Sequence, residues 1–404
     1  MSVRGNPVPP SPLQQGMRVH EMSSSRPARV VLLLQDLHVG GTQRQALELA
    51  ARLDRARFSP EIWTMMAGQA MLDRAQLPGL ADVPVRRLSP LSFVGPDAVL
   101  RLGLELARQQ VDVLLCLTAV PNIWGRAWGQ ICRRLGRRPV IVGTCRGGGA
   151  PVRQHERRLW AWADHHISNT HALARVLTQD CGVPAARISV VHNGVDLDRF
   201  RMTPRPAATA RSEDEGGPVF VHLARLVEDK DHATSLRAFA ALLQTVPRAT
   251  LRLVGDGPRR AELEALADTL LPGEARPRLQ FDGERLDVEA VLRDADVLVL
   301  SSIREAMPNV ILEAMSTGLP VIATEVGGVG EMVIQDHTGL LVPAGDAQAM
   351  GQAMARLAQD ATLREAMGRA GRARAVAQFS FEAMARGHEA VFARRLEQRD
   401  GRAG

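Results

Sequence analysis

Eleven short apolar runs, separated by helix-length segments, constrain this chain more than any other feature. In the first half they are "RVVLLL" (29–34), "VDVLLCL" (111–117), "PVIVGT" (139–144), "HHISN" (165–169) and "ISVVHN" (188–193). The second half repeats the plan with "VFVHLA" (219–224), "TLRLVG" (250–255), "RLQFDG" (278–283), "DVLVLSS" (296–302), "PVIAT" (320–324) and "GLLVP" (339–343). A strand that is apolar throughout, without alternation, is buried on both faces, and a helix-length return makes successive strands parallel. The pattern therefore predicts an α/β fold of two Rossmann-like, doubly wound parallel-sheet domains. At 404 residues the chain also exceeds the roughly 250–300 residues at which one hydrophobic core stops growing.

The expected organisation is a disordered tail at 1–28, an N-terminal domain at 29–200, a linker at 201–217, a second domain at 218–379 and a last amphipathic helix at 380–398. The tail is rich in Pro, Ser and Gly and lacks the apolar stretch of a secretory leader, and translation from Met17 or Met22 would shorten it. The linker combines Pro, Gly and mixed charge without apolar periodicity. No apolar run approaches the roughly 18 residues of a membrane span. Cys116, Cys132, Cys145 and Cys181 show no C-x-x-C pairing, so neither a structural zinc site nor a disulfide framework is expected, and a reducing cytoplasm fits best.

Charge divides the chain. Residues 1–200 hold 25 Arg against 15 Asp and Glu, whereas residues 201–404 hold 25 Lys and Arg against 29 acids. A basic first domain suits an anionic partner such as an acidic lipid or a phosphorylated carrier, or it reflects only a preference for Arg on the surface. With no Tyr and 3% aromatic residues the chain lacks stacking platforms for single-stranded nucleic acid, so nucleic acid is excluded as a partner.

Ligands of open α/β sheets bind at the carboxyl ends of strands. Four segments there carry candidate chemistry. In "DLHVGGTQRQ", Gly40 and Gly41 lie between a strand and a helix, where backbone amides can approach a ligand; a plain strand-to-helix turn is the alternative. Neither this segment nor "GDGPRR" at 255–260 has the G-x-G-x-x-G spacing, which argues against a dinucleotide-dependent dehydrogenase. In "HLARLVEDKDH", Arg225 and Lys230 follow a strand and are suited to grip a diphosphate. Lys230 is the single Lys among 50 Lys and Arg residues. A chain that uses Arg wherever a generic cation suffices retains Lys where the size or shape of Arg fails. A pair of solvated surface charges is the plainer reading.

The third segment is "SSIREAMPNVILEAMSTGLP". Pro308 suits the first helical turn and Gly318 the carboxyl-terminal cap, so a helix of about nine residues is expected to present free amides near Met307, Pro308, Asn309 and Val310. Glu305 precedes it and Glu313 lies within it, placing two carboxylates toward one cleft, where they can accept hydrogen bonds from sugar and ribose hydroxyls. The fourth, "ATEVGGVGEMV", offers Gly327, Gly328 and Gly330 as a second helix start or as a turn.

In this order, "VGGTQ" (39–43), "VVHNGVDLDRF" (190–200), "ARLVEDKD" (224–231), "LVGDGP" (253–258) and an E-x7-E motif at Glu305 and Glu313 resemble the retaining nucleotide-sugar glycosyltransferases of family 4, which have the GT-B fold. The resemblance runs from about Arg29 to Gln398 and implies two Rossmann-like domains facing across a cleft. It implies that Arg225 and Lys230 neutralise the donor diphosphate, that Glu305 binds the transferred sugar, and that Glu313 binds the ribose. Amides around Met307, Pro308, Asn309 and Val310 would cap the distal phosphate, and Gly40 and Gly41 would face the donor from the other domain. No cofactor and no metal is expected, and the triplets beginning at Asp196 and Asp294 are not read as metal sites.

Two positions depart from the family pattern. Ala306 stands where Gly is common, and "LLCLTAVPN" offers Leu115 and Leu117 where many relatives place a His near the sugar. His38 or Asn122 is an alternative contributor, and His192 is read as structural. The implied activity is transfer of a hexose-type sugar from a nucleoside-diphosphate donor to a glycan or lipid-linked acceptor. Alternatives are an epimerase, a phosphorylase, or a catalytically inactive partner subunit. Trp124 and Trp128 with Arg133, Arg134, Arg137 and Arg138 form either a peripheral contact with an anionic membrane at the inner face of the plasma membrane or a core-packed helix with a basic end.

Overall fold

The structure is a computed structural model and describes residues 26–68, 77, 79–147, 150–202 and 217–401. Most of the expected linker and all but the last residues of the expected tail lie outside these. The first sheet comprises β1 (Ala28–Leu34), β2 (Phe58–Thr64), β3 (Val85–Arg87), β4 (Val113–Cys116), β5 (Val140–Cys145), β6 (His165–Ser168) and β7 (Ile188–Val190), in the order β3-β2-β1-β4-β5-β6-β7. The second comprises β8 (Val219–Leu223), β9 (Thr250–Val254), β10 (Leu279–Gly283), β11 (Val297–Leu300), β12 (Val321–Thr324) and β13 (Gly339–Val342), in the order β10-β9-β8-β11-β12-β13. All the strand pairs within the two sheets are parallel.

Helices return the chain between strands: α1 (Gly41–Arg52), α2 (Pro96–Arg108), α3 (Ala119–Arg134), α4 (Ala150–Leu159) and α5 (His171–Gln179) in the first domain. The second has α6 (His232–Leu242), α7 (Arg260–Leu270), α8 (Val288–Asp294), α9 (Asn309–Ser316), α10 (Val329–Met332), α11 (Ala347–Gln359) and α12 (Ala361–Gln378), and α13 (Phe381–Asp400) ends the chain. Burial explains the uniformly apolar strands. On β1, Leu32 and Leu34 join one core cluster while Val31 and Leu33 join the cluster on the opposite face of the same sheet. Successive side chains point to opposite faces, and helices cover both.

In each sheet the strand order reverses direction at one place, between β1 and β4 and between β8 and β11. Crevices open at the carboxyl ends of strands at such switch points. Gly40 and Gly41 follow β1, Lys230 follows β8 and Glu305 follows β11, so the candidate residues sit at both switch points.

The two cores exchange the chain twice. Val191 packs in the first domain and Val195 in the second, while Phe379 packs in the second and Phe381 in the first. Leu197 and Phe200 already belong to the second core, so packing changes hands at Gly194, ahead of residue 200. The crossings touch: Val195 N donates to Phe379 O at 2.8 Å, and a Cβ on Gly194 would lie 2.7 Å from Phe381 Cα. Helix α13 then packs on α1, adding Met384, Phe392 and Leu396 to the first core.

On α3, Trp128 lies against the face of α2 at Gly103, where a Cβ would come within 2.5 Å of its ring. This is the core-packed arrangement. Trp124 is exposed, and Arg133 is paired with Asp164. Arg137 and Arg138 immediately precede β5, at the edge of the sheet opposite the cleft. Among the described residues no helix is long and apolar enough to cross a membrane.

Candidate active site

The site begins with a buried polar chain that fixes the backbone at Lys230. His222 on β8 bonds through Nδ1 to Ser235 Oγ at 3.0 Å, and Ser235 Oγ meets Ser301 Oγ at 2.8 Å. Ser301 in turn lies against the carbonyls of Lys230 and Asp231 at 3.1 and 2.7 Å. Asp231 adopts a left-handed conformation, φ 43°, and its carboxylate caps α6 through Thr234. Short polar residues tolerate this region better than branched ones. Lys230 thus ends a single 3-10 turn, Glu228–Lys230, with its backbone pinned from the strand below.

The Lys230 ammonium pairs with Glu305, and Ser302 Oγ donates to the same carboxylate oxygen at 2.8 Å. Arg225 is exposed, with no ion-pair partner among the described residues. The Glu305 loop is held from below by Gly327 and Gly328. A Cβ on Gly327, at φ 55°, would lie 1.8 Å from Glu305 O, and Gly328 N donates to Ala306 O at 3.0 Å. These glycines form the turn rather than the anion-binding helix start of the two readings above, since α10 has only four residues.

Pro308 is the N-cap of α9 rather than a member of its first turn, and it has no N–H. The free amides are therefore those of Asn309 and Val310, beside buried Met307. Gly318, at φ 78°, follows the helix as expected. Asn309 reaches toward the first domain: its Oδ1 accepts from Asn193 Nδ2 at 2.9 Å, and its Nδ2 would lie 3.0 Å from a Cβ on Gly41. A side chain at Gly41 would press on Asn309, and this close approach accounts for glycine there. Gly40, in extended conformation, is the N-cap of α1.

Glu313 faces the same junction. Arg44 on α1 lies 3.4 Å from its Oε1, and burial raises its pKa against the opposing charge of Arg44. The partner expected for an acid in the apolar "VILEAM" context is therefore an arginine of the facing domain. Sequence patterning gave no signal for Arg44 because it is one of many arginines on amphipathic helices.

Leu115 and Leu117 are fully buried and belong to the core. They do not reach the cleft, so the expectation that the missing imidazole would lie there is corrected. The side chain that the first sheet sends to the cleft from its neighbouring strand end is Arg146, just after β5. It lines a cleft pocket of about 180 Å³ together with Asp229, Arg304, Glu305 and Met307. Asn122 is buried, donating both amide hydrogens to the carbonyls of Thr118 and Thr144 and accepting from Arg126, which leaves it no N–H to offer a substrate. His38 is exposed at the side of Gly68. His192 donates from Nδ1 to Asn169 O at 3.0 Å and packs edge-on against Phe379, a structural place at the domain junction.

One carboxylate of each aspartate triplet serves the backbone: Asp196 accepts from Asp198 N and Arg199 N, and Asp296 from Val219 N. His171, His192 and Glu331 bring possible ligand atoms within 4.8 Å of one another. Both Glu331 oxygens accept amides at the start of α5, at 2.8 and 2.7 Å, so that carboxylate acts as a cap joining the domains.

Two facing Rossmann-like domains, with a cation–carboxylate pair and a helix start at the switch point of the second, define the GT-B class. Profiles of known families give the same result. Residues 39–199 match the one described as Glycosyltransferase Family 4, and residues 207–374 that described as Glycosyl transferases group 1. The chain is 32% identical over 308 residues to the GDP-mannose-dependent alpha-(1-6)-phosphatidylinositol monomannoside mannosyltransferase of Mycolicibacterium smegmatis, covering 71% of this chain and 78% of that one. It belongs to the family 4 glycosyltransferases.

Another relative, the putative colanic acid biosynthesis glycosyltransferase WcaL of Escherichia coli, is 32% identical over 187 residues, 45% of this chain and 44% of that one. The chain thus spans about half the length of several curated relatives it matches. The fold is shared with Anabaena HepE in complex with UDP, at a TM-score of 0.74 and 21% identity, over 90% of this chain and 99% of that one.

Proposed function

We propose that this protein transfers a hexose-type sugar from a nucleoside-diphosphate sugar to a glycan or lipid-linked acceptor, with retention, in the synthesis of a cell-surface polysaccharide or other glycoconjugate. The observation that carries this reading is the Lys230–Glu305 pair at the switch point between β8 and β11, beside the free amides of α9. A diphosphate entering there exchanges Glu305 for phosphate oxygens as the partner of Lys230. Glu305 is then released to accept a hydroxyl of the sugar. Arg225, exposed and without an ion-pair partner among the described residues, is available as the second cation, and Asn309 and Val310 direct their amides to the distal phosphate.

The reaction breaks the bond between the anomeric carbon and the diphosphate oxygen, and charge grows on the departing group. Fixed cations and a helix start stabilise that charge without reorganising. The acceptor oxygen bonds to the same face of the anomeric carbon, and its proton passes to the departing phosphate oxygen. No protein base is required in this route, which suits a first domain whose β4 end presents core leucines. Glu313 accepts the ribose hydroxyls, and Gly40 and Gly41 let the first domain approach the donor. UDP, bound in the structural neighbour above, and GDP, the nucleotide of the donor on which the relative above depends, are the first nucleotides to test.

An anionic membrane carrying the acceptor would meet the outer face of α2 and α3, where Leu100, Leu104, Trp124 and Ile131 are exposed. Sedimentation with anionic vesicles, compared with Trp124→Ala, tests this contact.

Calorimetric titration of UDP, GDP and ADP into wild type and Lys230→Ala, with and without EDTA, tests the donor site. One nucleotide is expected to bind, EDTA to change nothing, and Lys230→Ala to weaken binding by about 10- to 150-fold, the worth of one charge-assisted contact. Equal binding by the variant would remove Lys230 from the donor site. Release of free nucleoside diphosphate only with acceptor present separates transfer from epimerisation.

A further inference from the structure

On the wall of the cleft facing Glu305, one cation has no counter-ion among the described residues. Of the four charged side chains lining that pocket, Asp229 is paired with Arg304 at 2.6 Å and Glu305 with Lys230. Arg146 remains. Its Nη1 donates to Asn193 Oδ1 at 3.1 Å and its Nη2 to His388 Nε2 at 3.2 Å, both neutral groups. His388 donates from Nδ1 to Met384 O at 2.9 Å, so its Nε2 carries the lone pair that receives Arg146. Arg146 Nε is shielded from solvent and has no partner among the described residues. Burial depresses the guanidinium pKa to about 10, which leaves it charged at neutral pH. A shielded cation normally finds an anion within the fold.

A second irregularity lies beside it. Thr118, between β4 and α3, has φ 72° and ψ 170°, a region left almost wholly to glycine. Its hydroxyl is buried and unpartnered, and it does not cap α3. The Asn122 amide bridges the Thr118 and Thr144 carbonyls at 2.8 and 3.0 Å and so ties this turn to the strand end that carries Arg146. The β1–β4 switch point and its neighbouring strand thus present a strained turn, an idle hydroxyl and an uncompensated arginine.

We infer that Arg146 and the Thr118 turn form an acceptor-side subsite that takes an anionic group, a phosphate or a carboxylate, carried by the molecule that receives the sugar. The inference rests on the donor reading above, which fills the opposite wall with the diphosphate. Arg146 is held by Asn193, which also bonds Met307 O and Asn309 Oδ1, so its position is coupled to the start of α9. One asparagine therefore links the donor and acceptor walls across the domain junction.

The test uses the full chain saturated with whichever nucleoside diphosphate binds. Inorganic phosphate is followed by phosphorus NMR line broadening, and glucuronate and neutral glucose by saturation-transfer NMR. Phosphate or glucuronate is expected to bind, and the one that does identifies the group. Glucose should bind at least about tenfold more weakly, Arg146→Gln should weaken the anion by about tenfold or more, and Arg146→Lys should recover part of the loss. Thr118→Ala, which removes a hydroxyl with no partner to lose, should weaken the anion while keeping the wild-type melting temperature.

The nucleotide affinity of Arg146→Gln should stay within about threefold of wild type, in contrast to Lys230→Ala. The inference is overturned if neither anion binds, if Arg146→Gln binds them equally well, or if it loses nucleotide as severely as Lys230→Ala, which would place Arg146 in the donor clamp. Should no nucleotide bind the wild type, the donor reading fails, and the same anion titrations on nucleotide-free protein still decide the role of Arg146.

Discussion

Lys230 and Glu305, 75 residues apart in sequence, neutralise each other across the β8–β11 switch point. The site therefore holds its cation in an ion pair rather than leaving it in water. On the donor reading proposed above, a diphosphate would compete with a carboxylate for the same ammonium, and its own charges would decide the exchange.

This geometry gives meaning to the lone lysine. The ammonium reaches Glu305 from a backbone fixed by Ser301, and a planar fork needs more room in that place. Lys230→Arg keeps the charge but is expected to lose about tenfold or more in nucleotide affinity, near the worth of one charge-assisted hydrogen bond. Calorimetry decides; wild-type affinity in the variant would show that any cation serves.

Glu313, proposed above to bind the ribose, is buried at some expense to the fold. Burial raises its pKa, so the folded state takes up a proton more readily than the unfolded chain, and the stability penalty is present above the folded pKa and fades as pH falls through it. Glu313→Gln should melt above wild type at pH 7, with the gap closing toward the ordinary value of 4.5. The same variant should bind nucleotide more weakly. A lower melting temperature at pH 7 would show that the Arg44 contact outweighs desolvation.

In the first domain, Arg126 and Glu156 form a buried bidentate pair at 2.8 and 2.7 Å, with Arg126 also donating to Asn122 at 2.6 Å. Burial alone would raise the pKa of Glu156, but hydrogen bonds and charge from His155 and Arg126 hold it well below the usual carboxylate range. Arg126→Met strands that charge and should cost about 3–5 kcal/mol. Urea denaturation of this variant and of the Arg126→Met, Glu156→Met double variant reads the effect. The double variant should recover much of the loss.

His222 and His232 stack with ring centroids 4.0 Å apart beneath the Lys230 turn. Burial lowers both pKa values, that of His232 to about 4 with help from the Lys230 charge. Unfolded histidines take up protons below the ordinary 6.5 while these do not, so stability present above pH 6.5 is lost as pH falls toward 4. Both His232 ring nitrogens lack partners among the described residues, so His232→Phe should match or exceed the wild-type melting temperature at pH 7.5 and lose less by pH 5. A steeper loss in the variant would refute this account.

The central strands were legible because burial on both faces removes polar residues from them. β2 and β3 were not. β2, "FSPEIWT", contains Pro60, which argues against an interior strand. Its neighbour β3 pairs only with Ile62 to Thr64, so at Pro60 the strand has a partner on one side alone. The donor-side residues were readable because glycine, proline and paired acids stand out at strand ends. Arg146 was hidden among 49 arginines, and what distinguishes it is a shielded guanidinium in the cleft with no counter-ion among the described residues. Thr118 was equally silent, since a backbone angle leaves no mark in composition.

The touching crossings at Gly194 and Phe381 also determine how the domains can move. Two separate tethers would permit sliding, twisting and bending. Two tethers lying side by side, joined by the Val195–Phe379 hydrogen bond and by mutual pairing of Gln45 with Gly194, behave as the spine of a book. On the donor and acceptor readings proposed above, opening about that line would part Arg146 and Gly41 from α9 together, so both walls would separate in one motion and product would leave a cleft that has a single axis.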